Sequence, residues 1–226
     1  MTRICLLMAT VLLAGCLYRI GESDPYPQRA REVHSTYLKS ESGFGVDTSR
    51  PIFYDSFETT VDRHWEVLQT GSKTAGDVWK TTDKQANFGT RALTYGETDV
   101  ITKDLTFGTA MLTSKAAVSL ASTKNPVLIV FAGFQQTGSE TDQTAFRAEA
   151  SGDLGFNWTP LTPTSASTES VSEPVLKLGA GGSIWKRFEF SLANFKGGDV
   201  RLRLNLNATA NSRKLVFIDD VLIADK

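Results

Sequence analysis

The chain has 226 residues, 24 basic against 25 acidic, a formal net charge of -1, 41% hydrophobic residues and 22% charged ones. That length buries a real core as one large all-β domain or two small ones, and the balanced charge leaves no electrostatic footprint for nucleic acid. Two cysteines cannot build a disulfide scaffold, and two histidines leave little for a histidine-based metal site or catalytic triad.

At the N-terminus Arg3 precedes an apolar run from Ile4 to Ala14, the charged and apolar regions of a secretory signal. Spanning a bilayer as a helix takes roughly 20 apolar residues, and this run is well short of that. It ends in Leu13-Ala14-Gly15-Cys16, which resembles the lipobox of bacterial lipoproteins. The resemblance implies cleavage before Cys16, a diacylglycerol on its thiol, acylation of the new amino group by a palmitate-like chain, and a place in the bacterial cell envelope. The chemistry suits the residues, because small side chains at Ala14 and Gly15 expose backbone to a protease and a thiol forms thioethers readily. Each buried methylene contributes about 0.8 kcal/mol, so two or three acyl chains hold a protein to a membrane almost irreversibly. Leu17, standing where an aspartate would signal retention, points by the same resemblance to the outer membrane. An ordinary signal peptide with an accidental cysteine, or a buried N-terminal strand, is the alternative reading.

The chain then divides into a signal peptide over residues 1–15, a lipidated N-terminus and polar tether over 16–50, and one domain over 51–226. The tether is polar and without sustained periodicity, apart from a short helix predicted across Gln28 to Leu38, and it reads as a flexible spacer holding a solvated His34. Cys5 leaves with the signal, so no disulfide forms within the mature chain.

From Pro51 the hydrophobic period is two. Val200, Leu202, Leu204 and Leu206 alternate with Arg201, Arg203, Asn205 and Asn207, the pattern of a half-buried antiparallel strand. Phe188, Phe190 and Leu192 repeat it, while Pro126–Phe134 and Lys214–Ile223 are continuously apolar, as central strands are. Turn signals recur at Thr70–Lys73, Asn87–Gly89, Gly152–Gly155, Gly179–Ser183 and Lys196–Asp199. No amphipathic helix stands out after residue 60. About ten to twelve short strands predict an all-β, two-sheet antiparallel sandwich.

Three stations resemble the jelly-roll domains of the MAM, choice-of-anchor J and carbohydrate-binding-module type. They are Phe53-Tyr54-Asp55-Ser56-Phe57-Glu58 followed by Trp65, the hairpin from Ala148 through Ser151-Gly152-Asp153-Leu154-Gly155 to Trp158 and Leu161, and the stretch from Trp185 to Phe217-Ile218-Asp219-Asp220-Val221. The resemblance implies a jelly roll used for adhesion, glycan binding or protein binding. It also implies a structural Ca²⁺ where first and last strands meet, held by Glu58 and by Asp219 or Asp220, with Asp55 as a further ligand. Calcium takes six to eight oxygen ligands. Asp219 and Asp220 lie in a run with apolar neighbours on both faces (Phe217 and Val221; Ile218 and Leu222), where an unpaired carboxylate is costly. Bonding to backbone N–H groups, or a salt bridge to Arg201 or Arg213, would satisfy them equally.

Other candidates are weaker. His64 has no Gly-x-Ser-x-Gly or His-Glu-x-x-His element beside it and reads as a satisfied histidine at a strand edge. Of Trp65, Trp79, Trp158 and Trp185, the last two read as core and Trp79 as the exposed ring able to stack on a sugar. Arg201, Arg203 and Asn205 line either a binding face or an ordinary solvated one. The leading reading is a lipid-anchored, non-catalytic envelope module recognising a glycan or a protein, with a membrane partner through its lipid and no nucleic acid. A sandwich-type lyase or hydrolase, and a structural subunit of a surface complex, stand beside it. The oligomeric state is open.

Overall fold

The computed structural model describes residues 51–71, 79–83, 86–87, 89–95, 108–136, 145–166, 176–177, 185–208 and 214–226. The signal, Cys16, the tether, Arg213 and the turn at 179–183 lie outside the described residues.

Among the described residues, fourteen strands are arranged in two antiparallel sheets: β1 (Phe53–Asp55), β2 (Trp65–Gly71), β3 (Trp79–Thr82), β4 (Ala92–Tyr95), β5 (Gly108–Ser114), β6 (Val118–Ser119), β7 (Pro126–Gln136), β8 (Ala145–Ser151), β9 (Thr159–Pro160), β10 (Pro163–Ala166), β11 (Leu176–Lys177), β12 (Lys186–Ser191), β13 (Asp199–Ala208) and β14 (Lys214–Asp225). Three of them are only two residues long, and the longer ones fall within the number expected from the turn spacing. The first sheet runs β10-β12-β7-β14-β4-β3, with β1 also paired to β14. The second runs β11-β8-β13-β5-β2, with β6 on β13 and β9 on β8. Among the described residues the helical segments are two short 3-10 turns, Val61–Arg63 and Ala193–Phe195. The chain is an all-β, two-sheet antiparallel jelly-roll sandwich.

The main core lies between the sheets. Leu202, Leu204 and Leu206 of β13 and Phe146, Ala148 and Ala150 of β8 meet Leu128, Val130 and Ala132 of β7 and Phe188 and Phe190 of β12 there. Alternation drives this, since successive side chains of a strand point to opposite faces and burying the apolar set fixes the register. Burying each large aliphatic side chain contributes about 1.5–3 kcal/mol. Trp65, from the start of β2, is fully buried and packs between Phe53 and Phe57.

The two continuously apolar runs explain themselves. On the far side of β7 and β14, Val127, Ile129, Phe131, Leu222 and Ala224 form a second buried cluster, with Tyr54 and Trp185 packed against it. The central strands of the first sheet are therefore buried on both faces, which is why their sequences do not alternate. Trp185 crosses this outer face so closely that a Cβ at Gly133 would stand 2.9 Å from its indole.

One register expectation is corrected. Strict alternation puts Phe217 and Val221 on one face and Ile218 and Leu222 on the other, but Ile218 and Val221 both face the main core while Leu222 lies in the outer cluster. The cause is a bulge. Asp219 pairs Phe131 and Leu222 pairs Ile129, leaving one extra residue, and Asp220 sits at φ 48°. An extra residue in one strand reverses its inward and outward sets beyond that point. The same place marks a change of neighbour, because β14 pairs β4 through Val216–Ile218 and β1 through Val221–Ile223.

Candidate functional site

The bulge puts Asp219 and Asp220 side by side, both fully buried. Asp219 accepts hydrogen bonds from its neighbour's amide, Asp220 N (2.9 Å), and from Asn87 N (2.9 Å). Asp220 accepts from the Tyr54 hydroxyl (2.9 Å) and from Asn87 Nδ2 (3.3 Å). Burial, reinforced by the charges of Asp220 and Asp219, pushes the Tyr54 phenol above its ordinary value, so it remains a donor at any physiological pH.

The other two acids expected beside them are turned to separate tasks. Glu58 accepts from Thr90 N (2.9 Å), Thr90 Oγ1 (2.6 Å) and Arg91 N (2.9 Å), fastening the turn before β4 to the segment after β1. Asp55 accepts from Phe57 N (2.9 Å) and Trp65 Nε1 (2.8 Å) and lies 3.0 Å from His64 Nδ1. That bond holds the His64 ring in place, in keeping with a satisfied histidine. Among the described residues no group of three or more His, Cys, Asp or Glu converges as a metal cluster. Arg201, one alternative partner for the aspartates, instead gives its guanidinium to Ser114 O (2.9 and 2.6 Å) and Leu154 O (3.2 Å).

The outward row of β13 lies on the opposite side of the sandwich, on the exposed face of the second sheet. Antiparallel register sets Arg203 between Glu149 of β8 and Thr113 of β5, with Glu66 of β2 beyond Thr113. Arg203 Nε bonds Glu149 Oε2, and its guanidinium lies 4.3 Å from the ring centroid of Trp158. Both contacts are favourable, one as a charge-assisted bond and one as a cation over an aromatic face. Arg201, one row away, approaches Glu66 at 3.7 Å. Asn205, one row the other way, stands between Arg147 and Met111.

Trp158 reaches Arg203 because the turn before it is rigidly built. Ser151 Oγ donates to Asp153 Oδ1 (2.7 Å) and accepts from Gly155 N (2.8 Å). Asp153 also accepts from Asn157 N (2.9 Å) and Asn157 Nδ2 (2.6 Å), and these bonds hold its carboxyl at about 2, below the ordinary aspartate value of 3.8. Gly155 is required, since its φ is 98° and a Cβ there would stand 3.3 Å from both Arg201 and Trp158. The turn presents Phe156, 86% exposed, beside this face.

The tryptophans reverse the order expected. Trp79 is only 4% exposed and meets Tyr95 edge-on at 5.4 Å between ring centroids. It cannot stack on a ligand, because its cross-strand pairing with Tyr95 aims the ring at the core. Trp158 and Trp185, expected in the core, are half-buried on the two outer faces. Arg147, Glu149 and Trp158 were missed as members of the face. The signal for the first two was present, since Phe146, Ala148 and Ala150 alternate with Arg147, Glu149 and Ser151 as cleanly as β13 does.

No protein-family model matches the chain, and no curated protein matches it significantly. Solved structures do share its fold. A family 61 carbohydrate-binding module, TmCBM61, solved in complex with β-1,4-galactotriose, is 15% identical with a TM-score of 0.50, over 76% of this chain and 94% of that one. The K1 cleaved adhesin domain of Lys-gingipain from Porphyromonas gingivalis W83 is 13% identical with a TM-score of 0.50, over 77% of this chain and 98% of that one. At such identities the likeness establishes the sandwich architecture.

Proposed function

We propose that this chain is a lipid-anchored, non-catalytic glycan-binding module of a bacterial envelope, and that its ligand lies on the exposed face of β8, β13, β5 and β2. The observation that carries the reading is the Glu149–Arg203–Trp158 assembly. An aromatic ring and a guanidinium are held in fixed positions on a solvent-facing sheet, where ordered donors and a π face meet ring hydroxyls and C–H groups at little entropic cost. The lipobox-like Leu13-Ala14-Gly15-Cys16 supports the anchor. Affinity electrophoresis of the full chain in detergent, against galactan, xylan and charged polysaccharides, tests the ligand class. Retardation by at least one polymer, without release of reducing ends, is expected, and release of products would make the protein an enzyme. For the anchor, Cys16→Ser should move the protein from the membrane fraction to the soluble one, and unchanged fractionation would remove it.

A structural Ca²⁺ at Asp219 and Asp220 belongs to the same proposal. Its support is the meeting of two fully buried carboxylates in one bulge, hard oxygen donors of the kind calcium takes. Asp55 and Glu58 are fastened to Phe57, Trp65, Thr90 and Arg91 and are left out of its ligand set, while the Asn87 and Tyr54 donors on Asp219 and Asp220 would give way to the ion. Because a ligand of the folded state alone must stabilise it, the melting temperature should fall on adding EDTA. No shift would remove the ion.

A further inference from the structure

We propose that the same face carries a subsite for the anionic group of a polysaccharide, a uronate carboxylate or a sulfate ester, centred on Arg147 and Asn205. This rests on the glycan-binding reading above and names the class of glycan.

Arg147 of β8 stands directly opposite Asn205 of β13, which stands opposite Met111 of β5, itself opposite Leu68 of β2. Their strand neighbours Phe146, Ala148, Leu204, Leu206, Ala110 and Leu112 point into the core. The four residues therefore form one row across the outer surface, beside the row that holds Arg203.

Among the described residues, the three arginines of this face differ in what they already hold. Arg203 is balanced by Glu149 and stacked on Trp158, and Arg201 is committed to two carbonyls and drawn toward Glu66. Arg147 is half-buried and, among the described residues, has no hydrogen-bond or ion-pair partner. Next to it the Asn205 Oδ1 atom is buried and accepts no hydrogen bond. An unfilled acceptor and an unpaired guanidinium in adjacent positions are complementary to one kind of ligand. The guanidinium fork matches the two oxygens of a carboxylate or sulfate, and the Asn205 oxygen, covered from solvent, accepts a neighbouring hydroxyl once the side chains over it move aside. Leu68, 55% exposed, and Met111 continue the row as an apolar floor for a sugar ring's C–H face.

The test uses the full chain in detergent, titrated with polygalacturonate, a sulfated galactan and neutral β-1,4-galactan by calorimetry. The wild type should bind one of the charged polymers, polygalacturonate if the group is a uronate or the galactan sulfate if it is an ester. Arg147→Gln should weaken that binding at least about tenfold, and neutral polymer by less than about twofold. Raising salt from about 50 to about 200 mM should weaken the wild type and leave Arg147→Gln nearly unaffected. Arg147→Lys, which keeps charge but loses the fork, should fall between them. Asn205→Ala provides a second variant if Arg147→Gln fails to fold, and should also weaken the charged polymer. Binding of neutral galactan alone, or equal affinities for all variants, would overturn the subsite while leaving the glycan reading intact. Binding of no polymer would overturn both.

Discussion

The two outer faces of this sandwich are built from the same period-two backbone and come out with opposite surfaces. On the first sheet, Val127, Ile129, Phe131, Leu222 and Ala224 are buried outward, with Trp185 and Tyr54 against them. On the second, Arg147, Arg201, Arg203 and Asn205 face outward and stay partly solvated. The difference shows how one sheet becomes a structural wall and the other an open polar surface. A strand apolar on both sides must be covered on both sides, whereas an alternating strand leaves one side open for polar side chains. Charge follows the same division. The first sheet holds its buried acids in local bonds, Asp219 and Asp220 with Asn87 and Tyr54, and Glu189 with Arg187 (2.9 Å) and Lys226 (3.0 Å). The second sheet leaves a cation unpaired among the described residues.

The most demanding way to break this comparison is to truncate one apolar side chain on each face. Ile129→Ala, in the outer cluster of the first sheet, should cost about 2–5 kcal/mol in chemical denaturation, as a core cavity does. Leu68→Ala, on the second sheet's outer face, should stay within about 0.5 kcal/mol. Similar costs for the two would mean that the faces do not differ as described.

A smaller effect is expected where the second sheet does bury a charge. Arg203→Ala leaves Glu149 buried without its partner and should cost about 1–3 kcal/mol. The double variant with Glu149→Ala should recover part of that loss, giving a coupling of about 0.5–3 kcal/mol in a double-mutant cycle. Zero coupling would show that the pair is surface decoration. Smaller again is Tyr54→Phe, which removes one neutral donor from Asp220 and should cost about 1 kcal/mol, read from the shift in denaturation midpoint.

The last prediction concerns the turn that carries Trp158. Asp153 has its folded-state value depressed to about 2 from 3.8, chiefly by the Asn157 amide and then by the Asn157 side chain and Ser151. A depressed carboxylate stabilises the fold above its unfolded value, and that contribution is lost as pH falls from about 3.8 through about 2. The Asn157 amide resonance should therefore titrate with a midpoint near 2, and Ser151→Ala should move that midpoint toward 3.8. A midpoint already at 3.8 in the wild type would show that the turn is not held by these bonds.

Much of this architecture was legible from periodicity. The β13 alternation, the two continuous runs of β7 and β14, and the turns at 152–155 and 196–199 all appear where the residues place them, because side-chain direction along a strand follows directly from chain order. Other features depended on contacts between residues far apart. Trp79 looked exposed on its short polar strand until Tyr95, sixteen positions later, drew its ring inward. The bulge at Asp219 and Asp220 could not be read either, since an extra residue exists only relative to the partner strand β7. The same holds for the face itself. Sequence alone determined that Arg201, Arg203 and Asn205 share a side, but only tertiary structure decided which of the neighbouring arginines is paired. Pairing depends on which side chains the register brings opposite, and register is a property of two strands together.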